Sequence, residues 1–496
     1  MADPQSVQAT AQHTEQVREE SLLDQIVEEG RFGAGPESRE RGKDLIKEFV
    51  SQFLAGNMTI AFTAEKMVDA RIGEIDRLVS IQLNEVMHHP GFQTLESAWR
   101  GLKYLLDRTE TGALLQIRVL NATKKELMKD LQRAPDFDQS ALFKKVYEEE
   151  YGTFGGAPYG ALVGYYEFGR QPEDIELLDG ISHVAAVAHA PFCAAASPDL
   201  LNLPDWTKLD APRDLSKVVD STEYAKWKGF RQSEDSRYVA LCLPPVLGRL
   251  PYGKETVAVE GFAYEEGVDG SDPSKYLWIN SAVALAGRMT TSFAHYGMCV
   301  ALRGVEGGGL VQGLPVHNVH LDDGDVVMKC PTGASITDRR EKELANLGFV
   351  PLVHCKDTDY AAFFSVQSVQ KPKVYDSDAA NANAHLSAQL PYIMACSRFA
   401  HYLKAIMRDK VGSAMSRADV EVFLNRWINR YVTPDDTATQ QLKARCPLRE
   451  ARVDVSEVSG KPGVYRAVAF LRPHFVLEEL SVSLRLVVEL PAPAAK

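Results

Sequence analysis

The sequence is short of the features that mark several large functional classes. Basic residues are in the minority: 55 Lys and Arg stand against 67 Asp and Glu, a formal net charge of -12 at pH 7. The isoelectric point is near 5.6. A nucleic-acid reader needs a basic surface, so that class is excluded. No uninterrupted apolar run reaches bilayer length, and membrane insertion is not expected. The opening residues, Met1-Ala2-Asp3-Pro4-Gln5, lack the basic-then-apolar order of a secretory leader. Cysteine is sparse, odd in number and scattered: Cys193, Cys242, Cys299, Cys330, Cys355, Cys396 and Cys446. No two lie close enough for a metal knuckle, so they read as reduced core thiols of a cytoplasmic protein. There is no Gly-Lys-Ser/Thr phosphate loop, no Gly-x-Ser-x-Gly elbow and no internal repeat.

What is present is an ordinary globular composition, 45% hydrophobic and 25% charged, on a chain of 496 residues. That length accommodates two or three domains with ample core. Residues 1–20 are polar and are expected to be mobile, while residues 21–27 can form a short helix or an extended arm. Residues 44–54 have helical periodicity, with Leu45, Ile46, Phe49, Val50, Phe53 and Leu54 on one side. A longer helix begins at Thr63. Its apolar positions are Met67, Val68, Ile72, Ile75, Leu78, Val79, Leu83 and Val86, and Pro90-Gly91 ends it. Such a stripe serves core packing or a partner helix.

Further on, the pattern predicts helix at 95–108, strand at 114–120, helix at 123–131 and helix at 140–147. Thr123 and Glu126 form a capping box. Residues 181–188 have the composition of a buried strand. A strand at 238–243 is stopped by Pro244-Pro245. Helices follow at 282–296 and at 338–347, the latter capped by Gly348, then a strand at 349–353. A long helical region at 379–410 has a possible interruption at Pro391, and residues 421–431 are helical. Alternating helices and strands make this an α/β, mixed α+β, chain.

The chain ends differently. Residues 452–458 and 465–471 are strand-like, joined by the hairpin-turn chemistry of Ser459-Gly460-Lys461-Pro462-Gly463. After Pro473, residues 480–490 place Leu or Val at every even position and mostly polar residues between, giving one apolar face. A long regular strand with nothing after it to cover its edge pairs within its own domain or is offered to a neighbouring subunit.

Candidate chemistry is weak. The glycine-rich stretch 152–164 and Gly307-Gly308-Gly309 match no phosphate-binding spacing and read as structural loops. His317 and His320, with Asp322, Asp323 and Asp325, form the best metal-like cluster, but in a turn-like setting without zinc spacing. His183 and His189 lie in the strand-like apolar run. His88-His89 sits at a helix end, where the dipole favours it. His354 and Cys355 are adjacent, so on a strand they point to opposite faces, which suits no dyad. No cofactor or metal is expected; a cytoplasmic α/β enzyme of unknown substrate stays open as the alternative.

Several longer blocks are more specific. Residues 230–239 (Phe-Arg-Gln-Ser-Glu-Asp-Ser-Arg-Tyr-Val) are followed by residues 243–253 (Leu-Pro-Pro-Val-Leu-Gly-Arg-Leu-Pro-Tyr-Gly). With Glu96-Ser97-Ala98-Trp99-Arg100-Gly101-Leu102, residues 380–392 and the ending from Pro447, they resemble the large sheath subunit of the bacterial type VI secretion system, the TssC/VipB family. The resemblance spans residues 64–490. It implies a non-enzymatic contractile-sheath fold divided into an N-terminal arm and helix at 1–62, a main α/β body at 63–373 and a C-terminal domain at 374–496. It implies heterodimers with a small sheath subunit of TssB/VipA type, polymerised with other copies around an Hcp inner tube on a baseplate, and disassembled by a ClpV-type ATPase. In such a sheath, strands are shared between subunits. The residues implied for linkage here are Leu22, Leu23 and Ile26 of the arm, Tyr465, Ala467 and Ala469, and Val482, Leu484, Leu486 and Val488. Met67, Ile72, Ile75, Leu78 and Val79 are implied in packing against small-subunit helices.

Overall fold

The computed structural model describes residues 36–54, 64–211, 214–320, 325–411, 413–435, 437–457 and 465–474. The chain divides into two units, Met1–Leu78 and Val79–Lys496. The described part of the first unit is helical. It comprises α1 (Pro36–Leu54) and the start of α2 (Ala64–Met87), the helix in which the boundary falls.

The second unit continues with α3 (Pro90–Asp107), α4 (Lys124–Arg133), β1 (Leu162–Phe168), α5 (Pro172–Ala188), β2 (Phe192–Ala196), α6 (Ala225–Gln232) and β3 (Val239–Leu243). After the short β4 (Val246–Leu247) and β5 (Trp278–Ile279) come α7 (Ser281–Tyr296), β6 (Leu310–Val311), β7 (His317–His320) and β8 (Val326–Lys329). The chain then forms α8 (Asp338–Asn346), β9 (Phe349–His354), β10 (Ala361–Phe363), α9 (Asp378–Ser387), α10 (Leu390–Lys410), α11 (Arg417–Ile428), β11 (Leu448–Glu457) and β12 (Tyr465–Pro473).

Six strands make the central sheet in the order β1-β2-β3-β9-β10-β6. The first four run parallel; β10 is antiparallel to both β9 and β6. Both faces of this sheet are covered, so its central strands are apolar throughout and every residue of β2 and β3 is buried. On one face, Ile181 and Val184 of α5, Trp227 of α6 and Leu344 of α8 pack against Phe168 and Phe349. On the other, Val283 and Met289 of α7 pack against Cys242, Val350 and Phe363. A third core lies in the C-terminal region. There Phe399 of α10 and Leu424 and Ile428 of α11 meet Val453 and Val455 of β11.

Two sequence expectations change. Residues 181–188 are the end of α5, not a strand. Leu177, Leu178, Ile181, Ser182, Val184, Ala185 and Ala188 are all buried, and a helix apolar on most sides loses the period that would reveal it. His189, at φ 52, closes α5, and the strand follows at Phe192. Residues 115–122 run without a turn or bend, yet they pair with no strand among the described residues. The helical region 379–410 is interrupted next to Pro391, as expected: α9 ends at Ser387 and α10 begins at Leu390, with Pro391 in its first turn, where a missing N–H costs nothing. The same rule explains why Pro90 starts α3. The capping box at Thr123 and Glu126, the Gly348 turn (φ +83) and the β11–β12 hairpin form as expected.

Candidate interaction surfaces

The blocks of specific sequence, far apart along the chain, meet in space. Arg249 is buried between two carboxylates: its Nε donates to Glu96 at 2.7 Å and its Nη1 to Glu266 at 2.6 Å. Arg100 donates to Glu96 at 2.6 Å and to the Tyr252 hydroxyl at 2.8 Å, and His88 approaches Glu266 at 3.2 Å. Burial by itself would raise the Glu96 pKa, but the hydrogen bonds from Arg249 and then Arg100 outweigh it and hold the carboxyl below its ordinary value. Burial likewise works against the Arg249 charge, and Glu266 and Glu96 reverse it, raising that pKa. The cluster locks the α2–α3 corner onto the 249–266 loop.

A second clamp holds α3 against β1. The Tyr165 hydroxyl donates to the Ser97 carbonyl at 2.6 Å, and Ser97 Oγ donates to the Trp278 carbonyl at 2.7 Å. Gly101 lies under the Tyr165 ring, where any Cβ would collide with it. Elsewhere, Arg231 Nε donates to the Val369 carbonyl at 2.9 Å, and the Tyr392 hydroxyl to the His474 carbonyl at 2.7 Å. These residues act as internal fasteners.

With one side of α3 fastened, the other is bare. Leu95, Trp99 and Leu106 are exposed, Trp99 to 66% of its surface. With the half-buried Leu102 they follow helical spacing of four, three and four. On α2, Val68, Ile72, Ile75, Leu78, Val79, Ile81 and Val86 are exposed. The opposite side of the same helix is engaged: Ser80 and Met87 are buried, and Asn84 Oδ1 accepts from the Tyr264 hydroxyl at 2.8 Å. Of the residues implied for helix packing, Ile72, Ile75, Leu78 and Val79 lie on the bare face; Met67 lies in α2, its side chain outside the described set. The α3 stripe was not anticipated from sequence, although its spacing is visible there. After α3, Leu114, Val119 and Leu120 are also exposed, Leu114 to 88%.

The C-terminal hairpin has one blocked edge. Outward from β12, Val453 N–H donates to Asn425 Oδ1 at 3.0 Å, and Asn425 Nδ2 donates to the Val453 carbonyl at 2.7 Å. Val455 N–H donates to Glu421 at 3.1 Å, and Arg417 donates to the Val455 carbonyl at 3.0 Å. Helix α11 therefore seals β11. Val453 and Val455 face Ala469 and Ala467 in the register. In an antiparallel ladder, opposed residues both bond to each other or both point away. The backbone groups of Ala467 and Ala469 are thus turned to the far edge of β12. Their side chains, with that of Tyr465, pack on the third core. Leu22, Leu23, Ile26, Val482, Leu484, Leu486 and Val488 lie outside the described residues.

The chemistry-like groups are used locally. His317 is buried, and its Nδ1 lies 2.7 Å from the Tyr276 hydroxyl. His320 ends β7, Asp325 is described, and Asp322 and Asp323 are outside the described residues. Among the described residues no three metal-ligating side chains converge. His354 Nε2 lies 2.8 Å from the Thr358 carbonyl, and the adjacent Cys355 is exposed. Burial would raise the Cys330 thiol, and the nearby His354 and Thr332 outweigh it, lowering the pKa. The glycine-rich loop is held by Arg408, which donates to the Thr153 carbonyl at 2.6 Å and the Tyr151 carbonyl at 2.8 Å. No helix of the described residues is long and apolar enough to cross a membrane.

Among the described residues, close internal fastening stands beside bare apolar helix faces and a β12 edge that no other strand covers, features suited to a subunit of a larger assembly. Two family models match nearly the whole chain: the EvpB/VC_A0108 tail sheath N-terminal domain over residues 69–370, and the EvpB/VC_A0108 tail sheath gpW/gp25-like domain over residues 379–490. A curated relative, the type VI secretion system sheath protein TssC1 of Pseudomonas aeruginosa, is 51% identical over 458 residues, 92% of each chain. The chain belongs to the VipB tail-sheath family and is a large-subunit protein of a type VI secretion contractile sheath. Likeness to solved structures is distant. A cryo-EM structure of the anti-feeding prophage baseplate matches at 12% identity and TM-score 0.34, over 63% of this chain and 66% of that one. The contracted PVC sheath complex of an extracellular contractile injection system matches at 11% and 0.33, over 62% and 68%.

Proposed function

We propose that this chain pairs in the cytoplasm with a small sheath subunit of TssB/VipA type, and that the pairs polymerise helically on a baseplate around an Hcp inner tube. Contraction of the polymer drives the tube into a target cell, and a ClpV-type ATPase disassembles the spent sheath. The role is mechanical and non-enzymatic: energy is stored in the assembled lattice rather than released by a bond-breaking reaction. The observation that carries this reading is the bare apolar stripe Leu95, Trp99 and Leu106 on a helix whose other side is firmly fastened. An exposed face of this kind, with a large aromatic at its middle, is what a helical partner covers. Support for copy-to-copy linkage comes from the far edge of β12, where Ala467 and Ala469 present backbone groups to an incoming strand.

The test is co-expression with the small sheath subunit, followed by negative-stain electron microscopy. Hollow, ridged tubules of regular diameter are expected. Discrete particles without tubules across a range of salt concentrations refute the reading.

A further inference from the structure

Cys330 stands in a cluster of groups that can act on its sulfur. It follows β8 directly and opens the stretch Cys330-Pro331-Thr332-Gly333. Backbone bonds tie that stretch down: the Leu247 N–H donates to the Pro331 carbonyl and the Gly333 N–H to the Pro245 carbonyl, each at 2.8 Å. The Thr332 hydroxyl lies 2.8 Å from the Ala334 carbonyl and 3.2 Å from the Cys330 sulfur. It accepts from the thiol and can turn to donate to the thiolate. The Thr332 backbone N–H also faces the sulfur and favours the anion.

His354, the last residue of β9, supplies a base. Its Nε2 lies 2.8 Å from the Thr358 carbonyl, which has no proton to give, so in the neutral ring Nε2 carries the hydrogen and donates it there. Nδ1 is then the basic nitrogen. Burial works against charge on both groups, yet each moves the other towards its ionised form. His354 and Thr332 lower the thiol, while Cys330, the Thr358 carbonyl and the Asp357 carboxylate raise the imidazole. Cys330 and His354 are both half-buried, which leaves a small reagent a way in. A nucleophile, a base beside it and a third group that fixes the tautomer of the base make an activated thiol.

We propose that Cys330 is a modification site, a thiol activated by His354 that reacts with small hydroperoxides. The thiol proton passes to His354 Nδ1. The sulfur attacks one peroxide oxygen, the S–O bond forms, the O–O bond breaks, and the proton goes to the departing oxygen. Cys330 is oxidised to the sulfenic acid, and hydrogen peroxide is reduced to water. The chain carries its own comparison. Cys355 is the more exposed thiol, but its sulfur has no hydrogen-bond partner among the described residues. Exposure and activation therefore fall on different cysteines. The proposal goes beyond the sheath reading and stands or falls separately from it.

The test is trapping of sulfenic acid with dimedone on the full chain after brief exposure to hydrogen peroxide at about pH 6.5, with each cysteine read by peptide mass spectrometry. Cys330 is expected to be labelled about tenfold or more faster than Cys355, and iodoacetamide should show the same order. Across pH, alkylation of Cys330 should reach its plateau while that of Cys355 is still rising. His354→Gln should slow Cys330 about tenfold or more and leave Cys355 unchanged, with far-UV circular dichroism reporting the fold. Equal rates at the two cysteines near pH 6.5 overturn the proposal. So does a folded His354→Gln chain with undiminished labelling of Cys330. If that variant does not fold, the pH profile of the unaltered chain decides: coincident profiles for the two cysteines overturn the proposal. Alkylation of Cys330 without any dimedone adduct after peroxide overturns the assignment of a hydroperoxide as the reagent.

Discussion

At the scale of single residues, stability is concentrated in a few buried polar groups. Arg249 is paired with two carboxylates, and removing it strands both Glu96 and Glu266. Arg249→Ala should cost about 3–5 kcal/mol in denaturant unfolding, and Arg249→Lys should recover little, because a point charge cannot serve two forks at once. Two histidines bias pH dependence in opposite directions. His401 is buried, with Nε2 2.9 Å from the Ala188 carbonyl, and burial first of all pulls its pKa down to about 4. It stays neutral when folded and takes a proton more readily when unfolded. Its contribution is therefore present above the ordinary value of 6.5 and is lost as pH falls towards 4, on the order of 3 kcal/mol. Unfolding midpoints measured across that window should fall in the native chain and stay flatter in His401→Gln. His183 is raised to about 9, chiefly by the Asp179 carboxylate 3.7 Å away and then by its hydrogen bond to Asp235, so its smaller contribution is present below 6.5 and fades as pH rises through 9.

At the scale of elements, α2 and α3 each fasten one side and leave apolar residues bare on another. Helix α3 fastens itself through Ser97, Gly101 and Glu96 and presents Leu95, Trp99 and Leu106 outward. Trp99→Ala should leave the fold within about 0.5 kcal/mol, since the ring touches water in the isolated chain. It should weaken partner binding by about 2 kcal/mol or more, read by isothermal titration or by loss of co-purification. A fall in thermal stability matching the loss of binding would show that Trp99 is a core residue instead. Element types were legible in the sequence wherever one face is wet, as in α2, α4 and β12. They were not legible in α5, where burial on most sides removes the period. The strand composition at 115–121 was legible, but the segment joins no sheet among the described residues, since pairing is a property of whatever lies alongside.

At the scale of the molecule, the β11–β12 hairpin keeps an edge that no other described strand covers. Strand addition at β12 would tie copies together by backbone bonds that tolerate rotation between bodies. Deleting residues 480–490 should abolish polymer formation while leaving the pairing with the small subunit largely intact, as seen by electron microscopy and by co-purification. Tubules of normal yield from the truncated chain would contradict the shared-strand arrangement. The sequence alone determined the α/β class, the C-terminal hairpin, the exclusion of a basic nucleic-acid surface and, through several long blocks in order, the sheath family. Those follow from local period, turn chemistry and residue identity. Tertiary structure decided that Glu96 meets Arg249, that α11 seals β11 and so turns Ala467 and Ala469 outward, and that α3 keeps an uncovered face. Such features arise from contacts between distant segments, and no window along the chain contains both partners.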